Sequence, residues 1–268
     1  MDISSIWNTI IIEPMVNTLL GIYSVLTSLF GPENMFGLAI IIFTILIRLI
    51  TYPLTYQQMK SGQAMQDLQK SKEWQDIQKK YKDNKEKLAQ EQMKIYQEKG
   101  VSPFSSCLPT VIQFPIIIGL YQSIIRALAV TPSQLLNLSF NIYPFINAAA
   151  IIPLNQHFLW MNLSQPERWN VMGVDIPVLT ILVVITTFLQ SKLMAPATAQ
   201  PGDQGANMSR AMNLYMPLLM GWLAYSFSAG LALYFITSNL IGILQYGAMG
   251  RLDWRNIIPS RKTDSKAK

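Results

Sequence analysis

Long uncharged apolar blocks constrain this chain more than any other feature. Over residues 36–56 the run is broken chiefly by Arg48, Thr44 and Thr51, and further blocks follow at 107–130, 176–194, 212–227 and 231–249. Crossing a hydrocarbon core takes about 20 residues of helix. Inside that core the backbone must satisfy its own N–H and C=O groups, which favours helices over open strands. Charged residues are only 13% of the chain, against roughly 25% in soluble domains. The reading is an all-α integral membrane protein with five transmembrane helices.

The formal charge of +6 does not indicate a DNA partner, because the basic residues lie in segments flanking the apolar blocks, as topology signals do. Residues 57–103 hold ten Lys and Arg, the 191–213 loop two and the segment from 250 onward six, while residues 1–35 hold none and 131–176 only Arg168. The two sets belong on opposite sides. The N-terminus is expected outside, with the basic segments cytoplasmic; that arrangement needs an odd number of spans, and five satisfies it.

Three domains follow: 1–35, an extracytoplasmic interfacial segment; 36–250, the five-helix core; and 251–268, a basic cytoplasmic tail. The first lacks the basic start and cleavage site of a signal peptide, so it is expected to be retained. Glu13-Pro14 interrupts its apolar stretch, which favours an amphipathic helix in the interface over a sixth span. Within the core, 57–103 is Lys/Glu/Gln-rich with partial apolar stripes (Met65, Leu68; Trp74, Ile77, Tyr81; Leu88, Ile95, Tyr96) at helical spacing. It reads as a water-exposed helical hairpin turning near Asp83-Asn84. Pro53 is expected to kink the end of the first span. Residues 131–176 form a long external connection whose Trp160, Trp169 and Tyr143 suit headgroup level. The last two spans turn at Ser228-Ala229-Gly230.

Arg48 is the most informative residue. An arginine at span depth costs about 2.5–3.5 kcal/mol on insertion scales, and the spans contain no Asp or Glu to pair with it. Two readings stand. Arg48 lies about eight residues, ~12 Å, from the end of its helix and can snorkel to the interface. Alternatively it faces a wet cavity lined by Thr44, Gln113, Gln122 and Ser123. Gln113, Gln122, Gln190, Asn239 and Gln245 also suit interhelical hydrogen bonding, and Gly221, Gly230, Gly242 and Gly247 close helix packing. Cys107, the single cysteine, reads as a small buried apolar residue. Nothing calls for an enzyme, a cofactor or a metal: His157 is the only histidine, and no carboxylate pair, His/Cys cluster or phosphate loop is present.

Several segments together resemble the YidC/Oxa/Alb insertases. GLAIIIFTILIRLITYPLTYQQMKS resembles that family's arginine-bearing first core helix and hairpin entry. EKGVSPFSSCLPTVIQFPIIIGLYQSI is similar to its Asn-Pro, Gly-Cys-Leu-Pro and Gln-x-Pro pattern, and MPLLMGWLAYSFSAGLALYFITSNLIGILQ to its Phe-Pro-Ala-Gly-Leu and Thr-Ser-Asn run. Ser102, Ser106, Ser228 and Phe235 depart from the usual Asn, Gly, Pro and Trp or Tyr. The resemblance implies five helices around a hydrophilic groove, with Arg48 as its positive charge, Thr44 and Gln113 as polar lining, and Tyr234 and Phe235 in an aromatic wall. It implies an insertase and chaperone for nascent membrane proteins in the lipid bilayer, working without nucleotide hydrolysis. A ribosome on the basic tail and a Sec-type translocon are the further partners in view, and the short tails point to a bacterial plasma (inner) membrane. A small transporter or channel is the alternative; it usually shows paired halves, and no internal repeat is evident.

Overall fold

The computed structural model describes residues 3–81, 84–100, 108–128, 131–144, 146–147, 151–194 and 204–250. The chain divides into two compact units, Met1–Phe158 and Leu159–Lys268.

The first unit opens with α1 (Ile3–Trp7), a π turn (Asn8–Ile12) and α2 (Glu13–Phe30). The helix expected here runs through Glu13-Pro14. Proline has no N–H and its ring crowds the preceding turn. The π turn widens the backbone just before it, with the Glu13 N–H reaching back to Asn8 O, so Pro14 sits in the first turn of α2 without breaking the rod. The helix is held in the unit by polar as well as apolar contacts. Trp7 Nε1 donates to Gln122 Oε1 (3.2 Å), Arg126 Nη2 to Asn8 Oδ1 (2.7 Å), and buried Asn17 bonds Asn141 O (2.9 Å) and the Tyr143 N–H (2.7 Å).

A short connection with left-handed backbone at Gly31 and Asn34 folds α3 (Met35–Ile50) back onto α2. Phe36, Ile40 and Phe43 recur at helical spacing and are buried, Phe36 meeting the Tyr23 ring edge-on at 5.7 Å. Ile42, Ile45, Leu46 and Leu49 occupy the exposed face. A Cβ at Gly37 would overlap the Phe158 ring, so the close approach there requires glycine.

The first span was expected to continue to residue 56. Instead α3 ends at Ile50, and α4 (Tyr52–Lys70) leaves at 59°. The cause is the expected one acting earlier: Pro53 cannot donate to Leu49 O, so the ladder breaks three residues upstream. Thr51 Oγ1, donating to Ile47 O at 2.8 Å, caps the end.

α5 (Lys72–Lys80) and α6 (Lys85–Glu98) form the hairpin, with Ser71 and Asn84 accepting from the Trp74 and Lys87 N–H groups as N-caps. Of the expected turn at Asp83-Asn84, Asn84 opens α6 and Asp83 lies outside the described residues. Leu68, Trp74 and Ile95 make a small core, flanked by Ile77 and Tyr96. α7 (Leu108–Ala127) carries Pro115 inside it, and Gly119 lies against Ile11 and Met15.

The 131–176 segment, read as a plain connection, contains regular structure. Thr131 and Gln134 form a capping box that starts α8 (Pro132–Asn141) at 114° to the preceding helix. Strands β1 (His157–Phe158), β2 (Met161–Asn162), β3 (Trp169–Val171) and β4 (Val174–Ile176) follow, β3 and β4 pairing antiparallel.

The second unit is completed by α9 (Val178–Met194), α10 (Gln204–Ser226) and α11 (Ala229–Ala248). α9 packs against both of the others. A Cβ at Gly221 would overlap the Val184 side chain, so this glycine does set the α9–α10 approach. Asn239 joins α11 to α9, donating to Thr186 Oγ1 (3.1 Å) and Thr187 Oγ1 (2.8 Å). Leu231 to Phe235 are buried in succession, as befits a helix enclosed on most sides.

The architecture is that of a helical membrane protein. Among the described residues, Ser4–Phe30 and Ala229–Ala248 are each long and apolar enough to cross a bilayer, and counting each bent pair as one span brings the number up to four; Val178–Leu193 is a shorter apolar helix. Ser4–Phe30, read from the sequence as interfacial, is thus both long and apolar enough to span. Cys107 and the tail 251–268 lie outside the described residues.

Candidate functional site

Arg48 occupies the last turn of α3, two residues from the helix end rather than eight, because the helix stops before Pro53. A cation there faces the carbonyl end of the helix dipole, which favours positive charge. Arg48 is half-buried and lies one turn beyond Thr44 on the stripe that begins at Ile40.

Thr44 is fully buried, and its hydroxyl turns back to Ile40 O at 2.6 Å. Ser123 likewise donates to Gly119 O (2.7 Å), and Gln122 accepts from Trp7. The two hydroxyls thus bond within their own helices, and only Gln122 joins one element to another. Gln113 belongs to α7, but its side chain lies outside the described residues. Arg48 and Thr44 stand together on α3. Tyr234 and Phe235 stand together on α11, both buried, their rings 5.6 Å apart and tilted by 50°. At 5% exposure an apolar phenyl suits position 235.

In the second unit the motif residues act through their backbone. The N–H groups of Ala229 and Gly230, unpaired within α11 as at any helix start, donate to Gln165 O (2.7 Å) and Leu163 O (3.1 Å). Sequence reading missed the residue that organises this loop. Glu167 is 7% exposed, and its two carboxylate oxygens accept from Trp160 Nε1 (3.1 Å) and the Leu179 N–H (3.0 Å). The carboxylate therefore caps α9 from a distant position, where the helix dipole favours negative charge. The available signal was one of only two acidic residues in a nearly uncharged loop shortly before an apolar block. Beside it Arg168 lies over the Tyr225 ring at 3.9 Å. Among the described residues no group of three or more His, Cys, Asp or Glu stands together as a metal site would require.

Comparison with known proteins places this arrangement. Residues 25–253 match the model of the family described as 60Kd inner membrane protein. Membrane protein insertase YidC of Oceanobacillus iheyensis is 35% identical over 248 residues, 90% of this chain and 82% of that protein. Membrane protein insertase YidC 1 of Listeria monocytogenes is 34% identical, covering 89% and 70% of the two chains. Membrane protein insertase MisCA of Bacillus subtilis is 36% identical, covering 78% and 68%. The crystal structure of an active YidC insertase with its first transmembrane domain resolved superposes with a TM-score of 0.53 at 26% identity, over 87% of this chain. The chain spans about half the length of that structure, 46%. A family model matched over most of the chain, and relatives above 30% identity along most of their own length, show that the chain belongs to the 60Kd inner membrane protein family, which includes the YidC insertases.

Proposed function

We propose that this chain is a membrane protein insertase and chaperone in a bacterial plasma membrane. Nascent membrane proteins are its substrates, and a polar groove bearing Arg48 receives their short polar tails. Support comes above all from Arg48, a half-buried cation one turn from buried Thr44 on a helix without any acidic residue. The names of its relatives favour this reading over a transporter or channel.

Moving a polar tail through hydrocarbon exposes groups that each cost kcal/mol unpaired, and a wet half-channel shortens that path. Arg48 adds attraction for carboxylates where the dielectric is low. The net drive is burial of the substrate's apolar helix in lipid, without nucleotide hydrolysis. For acidic tails the membrane potential adds about 2.3 kcal/mol per charge per 100 mV. In this reading the N-terminus and the 131–176 connection lie outside, α1–α2 rests in the interface, five helices span, and the hairpin and basic tail face the cytoplasm. There the tail suits ribosomal RNA or anionic lipid, and a Sec-type translocon can join the assembly.

Proteoliposome insertion of single-span substrates with acidic or neutral tails tests the role of Arg48. Arg48→Ala should slow acidic-tail insertion roughly fivefold, about 1 kcal/mol of lost attraction, while Arg48→Lys retains most of it. Equal insertion by Arg48→Ala and the parent removes the electrostatic role. In intact cells, a cysteine at Ser71 in a Cys107→Ser background should resist an impermeant thiol reagent and one at Ser164 should react; labelling at position 71 overturns the orientation.

A further inference from the structure

The β3–β4 hairpin has an apolar face and a turn whose chemistry does not serve the turn itself. Its register pairs Trp169 with Ile176, Asn170 with Asp175 and Val171 with Val174. Side chains alternate across a strand, so Trp169, Val174 and Ile176 share one face while Asn170 and Asp175 share the other. The polar face is internally satisfied: Asn170 Nδ2 donates to Asp175 Oδ1 at 2.8 Å, and Asn170 Oδ1 accepts from the Gly173 N–H at 3.1 Å. The apolar face is open, with Trp169 47% and Val174 62% exposed.

At the tip, Met172 (φ +53°) and Gly173 (φ +84°) form a two-residue turn with both central residues left-handed. Such turns favour Asn or Asp before Gly. Methionine there carries a backbone penalty, gains no local hydrogen bond through its side chain, and projects wholly exposed. Its flexible apolar side chain suits an adaptable apolar environment.

What surrounds the hairpin identifies that environment. Only Pro177 separates β4 from α9, whose exposed Ile181, Leu182, Ile185 and Phe188 form an apolar outer face, lipid-facing in the five-span reading proposed above, on which this inference rests. The hairpin therefore stands where that helix leaves the hydrocarbon, and its open face continues a lipid-facing surface. Trp169 stacks on Trp160 at 5.5 Å, and Trp160 is itself tethered to Glu167; paired indoles belong at headgroup level. The two nearest charges are both engaged, Arg168 over Tyr225 and Asp175 with Asn170, which leaves an uncharged tip.

We propose that the β3–β4 hairpin is a lipid anchor. Met172 and Val174 insert among the lipids of the leaflet from which α9 emerges, Trp169 rests at the headgroups, and the Asn170–Asp175 face looks to water. This fixes the loop that carries Glu167 against the bilayer.

The test uses the full chain in a Cys107→Ser background, with single cysteines at Met172, Val174 or Asp175 bearing an environment-sensitive fluorophore. Each variant is reconstituted in phosphatidylethanolamine–phosphatidylglycerol vesicles, and quenching by shallow nitroxide lipid is compared with quenching by aqueous iodide. The lipid-to-iodide ratio at 172 and at 174 should exceed that at 175 by about threefold or more, as expected across a headgroup boundary. Two independent sites guard against local distortion by either substitution. Ratios at 172 and 174 equal to that at 175 place the hairpin in water and overturn the anchor. Iodide access at 172 and 174 in vesicles of the purified protein, with protection only in native membranes, overturns it in favour of a protein partner.

Discussion

The loop around Glu167 and the α5–α6 hairpin solve opposite problems. Around Glu167 the donors find acceptors: Trp160 Nε1 and the Leu179 N–H share one carboxylate, and the first N–H groups of α11 meet the carbonyls of Leu163 and Gln165. In the hairpin a thin core of Leu68, Trp74 and Ile95 buries Trp74 Nε1 and Gln78 Nε2 without an acceptor among the described residues. Its ion pairs, Lys94–Glu91 at 2.7 Å and Lys99–Glu73 at 3.0 Å, are largely exposed and contribute little. Polar satisfaction is greater where α9 and α11 begin, although the buried Ser228 Oγ has no partner there among the described residues, and the hairpin is left to open at low cost, as segments with small cores do.

The largest effect should come from Glu167→Ala. It leaves the part-buried Trp160 indole N–H and the buried Leu179 N–H without their acceptor and removes a capping charge, which together cost about 3 kcal/mol. A thermal unfolding series in detergent should show a clear drop in midpoint, while exposed Glu98→Ala should show almost none. If the two variants unfold alike, the loop is not a staple.

A smaller and sharper comparison makes the same chemical change in both regions. Trp160→Phe deprives Glu167 of a donor and should cost about 1–2 kcal/mol. Trp74→Phe removes a buried donor that has no acceptor among the described residues, so the lost indole packing is offset by relief of desolvation, for a net change within about 1 kcal/mol. Amide exchange in α5 and α6 would read the second directly. Markedly faster exchange there in Trp74→Phe would mean that the hairpin depends on that N–H after all, and the contrast between the regions would fail.

Much of the fold was legible because membrane helices leave plain marks. Apolar blocks located α3, α7, α9 and α11, Asn84 marked the hairpin turn, and Gly221 signalled a close helix contact. The end of α3 was not legible to within a turn, since the effect of Pro53 is felt at the carbonyl it fails to satisfy rather than at the proline. α8 was hidden because a ten-residue helix among Pro and Asn has too short a period to stand out. That Thr44 and Arg48 share one face of α3 follows from spacing alone, which puts residues four apart together.

By itself the sequence determined that the apolar blocks are helices, since hydrocarbon offers the backbone no other partner, and that Arg48 stands on an apolar block without a carboxylate. Family membership was also readable there, from motifs in order. Only the tertiary structure decided that Glu167 caps α9 across 12 residues of chain, that Asn239 binds two threonines of α9, and that Arg48 sits at a helix end. Each of these depends on where a neighbouring backbone terminates or approaches, and spacing along one chain carries no record of distances between elements.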